Sequence, residues 1–502
     1  MTTFDRIGRE YAAQILAFVV AMADRLFIPA VFLRMLGITS FSAWSLAVAC
    51  GAFISVLEFG ITRYYTNRLI ALVEQEKHGE ARVAYREAMT VLTVLVLLAS
   101  AAISLLYDRF MEVPSDQSVT VDTFWIVLPI VISASAQQMI ALRSALYRAH
   151  RQFAAETLIR IAGDAGRIVV VIAFALAGAS LVTVCWVWLA ATILCINGPI
   201  WWSTTTRYPG FAGRPRLPNN WADIGVKGPG LWLQSMSVTL FSTVPILAIG
   251  GLTASASVIA QFVLLRTIAN FVRQILQMFA NVFGIELARR HAVGDEAGFA
   301  LVFKDSNRFL AAQAAAASAA LVVLSEPLFV LWTDEPQLFD RTMLILAVLP
   351  PLLVPSTSLA VEAFSYANRP WAVVGARLIQ IIVTITAFFL LAALPLGTRM
   401  MAALLAGEVA GLGVPLIFTM RTLNPLIGPS HGLGLLATSM GCALGVGAIV
   451  SLAWIPDGLG LYARVALGLG LAGPAAAIAL FFVGMSPSRR RQVLDLVRSF
   501  SR

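Results

Sequence analysis

The sequence predicts an all-α, polytopic membrane protein of about 14 transmembrane helices. Three observations carry this reading. Charged residues make up 13% of the 502 positions and hydrophobic ones 59%, which leaves little material for a large soluble domain. Apolar runs of about 20 residues, the length a helix needs to cross a bilayer, recur from Tyr11 to Gly484. Lipid offers the backbone no hydrogen-bond partner, so only helices and closed barrels span it. These runs lack the roughly ten-residue alternation of barrel strands.

Taken in order, the expected spans are residues 11–36, 42–70, 89–107, 121–147, 152–177, 180–202, 223–250, 254–285, 308–332, 338–366, 369–394, 399–421, 432–455 and 462–484. The first run is too long for the h-region of a cleaved signal peptide. Lysine and arginine mark cytoplasmic loops. With both termini in the cytoplasm, 25 of the 36 fall on that side, and Arg34, Arg109, Arg341, Arg399 and Arg464 fall outside. The outside loops instead carry acids such as Asp108, Glu112, Asp334, Glu335 and Asp457. This alternation supports an even span count and explains the net charge of +9 without nucleic acid as a partner. A plasma-membrane, in bacterial terms inner-membrane, location follows.

Between the spans, residues 71–88 mix both signs at helical spacing and predict a short surface helix. Residues 203–222, with Pro209, Pro215 and Pro218, read as a cytoplasmic linker. The basic tail, 485–502, fits an interfacial helix against anionic lipid. "LGIT" at Leu36–Thr39 and "GGLT" at Gly250–Thr253 lie 214 residues apart. The segments starting at Tyr147 and Tyr366, each ahead of a span, lie 219 apart. Two near-equal offsets suggest two parallel six-helix lobes, 1–202 and 223–421, with two further helices in 422–484.

Function must then lie in polar groups inside the membrane. A charge at mid-span costs about 3 kcal/mol on insertion scales, so it faces protein or a water-filled cavity. In the eighth span Arg266, Asn270, Arg273, Gln274, Gln277 and Asn281 share one helical face. Guanidinium forks match phosphate oxygens and amides match sugar hydroxyls, so these six are candidate substrate-binding residues. Arg25, in the first span one turn before Pro29, is a further candidate. Its neighbour Asp24 points elsewhere on the helix and is a structural partner or an ion-coupling carboxylate. Glu156, Arg160, Asp164 and Arg167 alternate in sign along the fifth span and can neutralise one another; Arg160 and Asp164, like Asp24, are candidate ion-coupling or pairing groups. Glu58, near the end of the second span, faces a pairing role with Arg63 or Arg68, or ion sensing. Glu362, Arg377 and Glu408 stand alone in the second half and receive no role. Four cysteines lie inside apolar runs without a CxxC pair, and four histidines form no ligand-spaced cluster. No metal, cofactor or catalytic residue is expected.

The stretch Met35–Ile70, with Leu36-Gly37, Trp44 and Glu58-Phe59-Gly60, resembles the first-loop and second-helix region of bacterial polysaccharide flippases. LYRAHRQF at Leu146–Phe153 and SEPLFVLW at Ser325–Trp332 are similar to the same family. That family is the Wzx-like, O-antigen branch of the multidrug/oligosaccharidyl-lipid/polysaccharide (MOP) exporter superfamily. The resemblance implies a V-shaped, non-enzymatic bundle that flips a lipid-diphosphate-linked oligosaccharide, an exopolysaccharide or lipopolysaccharide unit, from the cytoplasmic to the periplasmic leaflet by alternating access. Its partners would be that lipid-linked glycan, membrane lipids, and a polysaccharide polymerase and glycosyltransferases. The alternatives are another MOP exporter (a lipid II flippase or a drug/cation antiporter), a membrane glycan polymerase or acyltransferase, and a non-transporting scaffold for the assembly machinery. A polymerase or acyltransferase needs catalytic groups at a membrane face, and the outside loop near 108–121 is short and has no histidine.

Overall fold

The computed structural model describes residues 3–427 apart from 111–122, 151, 219–220, 254, 354–355, 367–369 and 414–419; beyond 427 it describes mainly 461–479. The expected thirteenth span (432–455) and the basic tail (485–502) lie outside the described residues. All regular structure among the described residues is helical. Seven helices are long and apolar enough to cross a membrane, and a bent pair makes an eighth. The protein is a multi-pass membrane protein. Helix α6 (Phe153–Leu176) has the length, but it carries Glu156, Arg160, Asp164 and Arg167.

The chain divides into two compact units, residues 1–260 and 261–502. In the first, α1 (Thr3–Ala52) continues through Pro29 and breaks at Gly37, whose φ of 83° and ψ of 171° belong to a region essentially restricted to glycine. The "LG" of the repeat is therefore a corner between two helical arms. The expected second span, 42–70, is not one helix. It runs through the end of α1, the short α2 (Ile54–Leu57) and then α3 (Ile61–Glu74). The break falls at Glu58-Phe59-Gly60, where Phe59 and Gly60 both take positive φ, 52° and 72°. The expected surface helix at 71–88 is also corrected. Its first residues finish α3, and its remainder is the start of α4 (His78–Phe110), which carries straight on into the third span.

Helix α5 (Phe124–Ala149) packs on α1, α3 and α4, and α6 packs on α1. The sixth span is α7 (Leu181–Ala191), a π-helical turn at Thr192–Asn197, and α8 (Gly198–Arg207), so the helix takes the first part of the expected 203–222 linker. The rest of that linker lies along α4, with Arg86 donating to the Ala212 carbonyl at 2.9 Å and Thr90 accepting from the Arg216 amide at 3.0 Å. Helix α9 (Trp221–Leu252) belongs to this unit: Trp232 donates its indole N–H to the Val56 carbonyl at 2.7 Å, and Gly250 lies against Leu46.

The second unit contains most of α10 (Ala256–Ala292), then α11 (Glu296–Thr333), α12 (Arg341–Leu353), α13 (Ser356–Tyr366), α14 (Pro370–Leu390), α15 (Leu396–Glu408) and α16 (Leu461–Ala479). Helices α12 and α13 form the expected tenth span, bent by 53°. Its core packs Val272, Leu276, Phe299, Phe303, Leu359 and Phe364 between α10, α11 and α13. A second π-helical turn, Val409–Gly413, follows α15. It begins 217 residues after the first (409 − 192), between the two sequence offsets of 214 and 219.

Candidate functional site

Each unit holds a cluster of charges between its helices. In the first, Arg167 of α6 is the centre. It reaches Asp24 of α1 at 3.2 Å and Asp164 one turn back at 3.3 Å, and its guanidinium lies over the Trp188 ring at 4.6 Å. Trp188 packs on Trp44, and Trp44 packs edge-on to Phe32. The tryptophan of the flippase-like motif is thus a buried wall behind the ion pair. Asp24 makes its contact across helices, while Arg25 beside it is exposed and in electrostatic contact with Asp24.

Further along α6, Arg160 pairs with the fully buried Glu156, whose carboxylate also accepts from Ser144 at 2.8 Å. The alternating stripe of α6 is neutralised partly within the helix and partly by α1. Glu58 accepts from Thr62 at the start of α3. Arg68 is not its partner: it lies 3.9 Å from Glu87. Arg143, unassigned from the sequence, is buried with its guanidinium 3.3 Å from the Trp201 ring centroid and donates to Thr204 at 3.2 Å. Outside the spans, His150 stacks on Tyr208 at 4.5 Å, and burial pushes the Tyr208 phenol up to about 12.

In the second unit a cavity of about 90 Å³ is lined by Arg273 and Gln277 of α10, Thr357 and Ser358 of α13, Arg377 of α14 and Glu408 of α15. Arg273 and Glu408 form a two-pronged pair, with Nη2 to Oε2 at 2.6 Å. Glu408 is buried, whereas the Arg273 side chain keeps 36% of its surface exposed. Gln277 donates to Glu362 of α13 at 2.7 Å. Arg377 donates to Gln380 at 2.8 Å and lies within electrostatic reach of Glu408.

Arg377 and Glu408, isolated along the chain, therefore meet at one cavity, and Glu362 accepts from Gln277 of its wall. The sequence carried no signal for this, because 135 residues separate Arg273 from Glu408. Of the predicted stripe, Arg273 and Gln277 reach the cavity wall. Arg266 lies near the Phe262 ring, 5.7 Å from its centroid, and Asn270 and Gln274 are half-buried. The side chain of Asn281 lies outside the described residues.

No protein-family model and no curated protein matches the sequence. Solved structures do match the fold. A lipid II flippase, MurJ, in an inward closed conformation superposes with a TM-score of 0.67 at 13% identity, over 93% of this chain and 98% of that one. An inward-facing multidrug resistance MATE transporter of the MOP superfamily gives 0.64 at 12% identity, over 81% and 94%. A MOP superfamily transporter from Pyrococcus furiosus, described by the reversed polarity of its binding pocket, gives 0.59 at 13%, over 83% and 95%. The chain has the MOP fold. Within that fold the two charge clusters differ in kind. The first unit balances one buried guanidinium with two carboxylates, while the second sets two guanidiniums and one carboxylate around a cavity.

Proposed function

We propose that this protein is a flippase for a lipid-diphosphate-linked oligosaccharide, carried from the cytoplasmic to the periplasmic leaflet of the bacterial inner membrane, with both termini cytoplasmic. The observation that carries this reading is the cationic, amide-bearing face of α10, with Arg273 half-exposed at a cavity wall. A diphosphate and its first sugars need such a surface, because guanidinium forks and amides match phosphate oxygens and hydroxyls. Likeness to the lipid II flippase fold supports the same class of cargo. A drug/cation antiporter needs a carboxylate open to the cation; in the second-unit cavity the lining carboxylate, Glu408, is already held by Arg273.

On this reading the repeat sets the two lobes at 1–202 and 223–421, so that α9, grouped by its contacts with the first unit, belongs by repeat to the second lobe. Arg25 is the cargo contact of the first lobe, and Arg266, Asn270, Arg273, Gln274, Gln277 and Asn281 are those of the second. Alternating access requires only that the loaded surface prefer a different closure from the empty one. An anion that relieves repulsion among these arginines supplies that preference. Asp24, Arg160 and Asp164 are pairing groups, and Glu58 fixes the start of α3 through Thr62. A polysaccharide polymerase and glycosyltransferases are the proposed working partners.

The test is export of the lipid-linked glycan by variants whose membrane insertion is checked in parallel. Arg266→Ala and Arg273→Ala should each abolish export at normal expression. Lysine at either position should restore part of it, since it keeps the charge and loses the fork. Full export by the double alanine variant would remove α10 from the cargo path.

A further inference from the structure

At the cavity of the second unit, a donor of Arg377 in its wall and one of the adjoining Gln380 are buried without an acceptor. Arg273 gives its fork to Glu408. Arg377 spends one nitrogen on Gln380, and its Nε is buried without a partner. Gln380, wholly buried, has an Nε2 in the same condition. Thr357 and Ser358 lie on the same wall. Buried donors without acceptors are costly and in native proteins nearly always find one. The lining residues themselves carry two guanidiniums and one carboxylate. Glu362, the other acid nearby, accepts from Gln277.

We infer that this cavity is a binding site for a single phosphate group, with Arg273 and Arg377 as its two cations and Glu408 as the internal carboxylate that occupies Arg273 when the site is empty. The size fits: at about 10–15 Å³ per water, a cavity of about 90 Å³ takes a handful of waters, hence one phosphate group of a headgroup whose second phosphate and sugar stay outside it. An entering phosphate presents the same oxygen geometry to the Arg273 fork as Glu408 does. The two anions compete, because both cannot hold one fork and they repel each other. Glu408, once released, remains within electrostatic reach of Arg377. The site thus exchanges an intramolecular ion pair for an intermolecular one. The inference deepens the flippase reading and rests on it for the source of the phosphate, a lipid headgroup; free phosphate is the other source with the same chemistry.

The competition makes a prediction whose sign a structural role does not share. Full-length protein in phosphatidylcholine nanodiscs is titrated calorimetrically with inorganic phosphate, with chloride as control. Glu408→Gln should bind phosphate about tenfold tighter than wild type, because the competing charge is gone, and Arg377→Gln should lose about tenfold. Arg377→Lys should fall between Gln and wild type. A Glu408→Gln variant that binds no tighter, or an Arg377→Gln variant that binds as well as wild type, overturns the proposal. Where Gln at 408 gives no folded protein, the Arg377 variants decide alone, unchanged affinity in Arg377→Gln overturning it. A second arm adds phosphatidic acid to the nanodiscs. Competition with inorganic phosphate assigns the site to a lipid headgroup, and its absence overturns that source. Full glycan export by the Arg266→Ala/Arg273→Ala double variant, with phosphate binding by the wild type intact, counts against the transport reading and leaves this site standing.

Discussion

Arg167 and Arg273 meet the same difficulty, a guanidinium held between apolar helices, with different surroundings. Arg167 is buried, flanked by two carboxylates, and backed by an indole face. Such an arrangement is stable only while complete, since removing one partner of a buried pair strands the others. Arg167→Met should therefore bring Asp24 and Asp164 into repulsion. The two acid side chains are 26% and 30% exposed, which places the expected loss at the low end for buried pairs, about 3 kcal/mol, read as thermal unfolding of the full chain in detergent. Asp164→Asn should cost clearly less, because Asp24 still neutralises Arg167. An equal loss for the two would show that the helix, not the cross-helix pair to α1, holds Arg167. Arg273 has one carboxylate and a partly exposed side chain, an arrangement suited to exchange rather than to permanence.

At the scale of elements, the repeat is clearest where the helices deform. The sixth span carries its π-turn at Thr192 and the twelfth at Val409, and each touches the preceding span through a glycine. In the first unit the glycine is Gly163 of α6: a Cβ there would stand 2.4 Å from the Cys195 carbonyl oxygen, inside the π-turn. In the second unit the glycines are on the π-turn side, where a Cβ at Gly407 or Gly411 would strike the backbone of Gln380. Gly163 and Gln380 are themselves 217 residues apart (380 − 163). The contact is repeated with the glycine exchanged between partners. Gly163→Ala must displace backbone rather than a side chain, so it should cost about 1–3 kcal/mol, measured as the shift in unfolding midpoint. Unchanged stability would mean that the two helices separate freely.

Apolar length made the long helices of the described residues legible, and i,i+4 spacing made the Glu156–Arg160 pair legible, because those signals are local. The break at Glu58–Gly60 was hidden: its residues were visible as a motif, but nothing in an apolar run distinguishes a turn from a continuous helix. Arg377 and Glu408 were hidden for the opposite reason. Each is conspicuous alone, and their meeting with Arg273 is set by packing of helices far apart in the chain.

For the whole molecule, the decisive quantity is the parity of crossings. The distribution of arginine and lysine puts the segment after the second span and the acidic loop before the tenth on opposite sides of the membrane. Both segments offer a clean reporter. Gly79, at the start of α4, is exposed and has nothing within 4 Å of where a Cβ would stand. Gln337, between α11 and α12, is exposed as well. Spans three to nine lie between them, an odd number whatever the exact ends of each helix. A membrane-impermeant thiol reagent should therefore label Gln337→Cys in intact cells from the periplasmic side. It should label Gly79→Cys, and Arg490→Cys in the tail, only after the membrane is opened. Cys50 and Cys185 are buried, and Cys195 and Cys442 are replaced by serine in the reporter background. Labelling of Gly79→Cys and Gln337→Cys from one side would make the number of intervening spans even. The two-lobe arrangement inferred from the repeat could not then hold. Labelling on opposite sides but reversed would keep the fold and invert its orientation, and a flippase so oriented would face its cargo from the wrong leaflet.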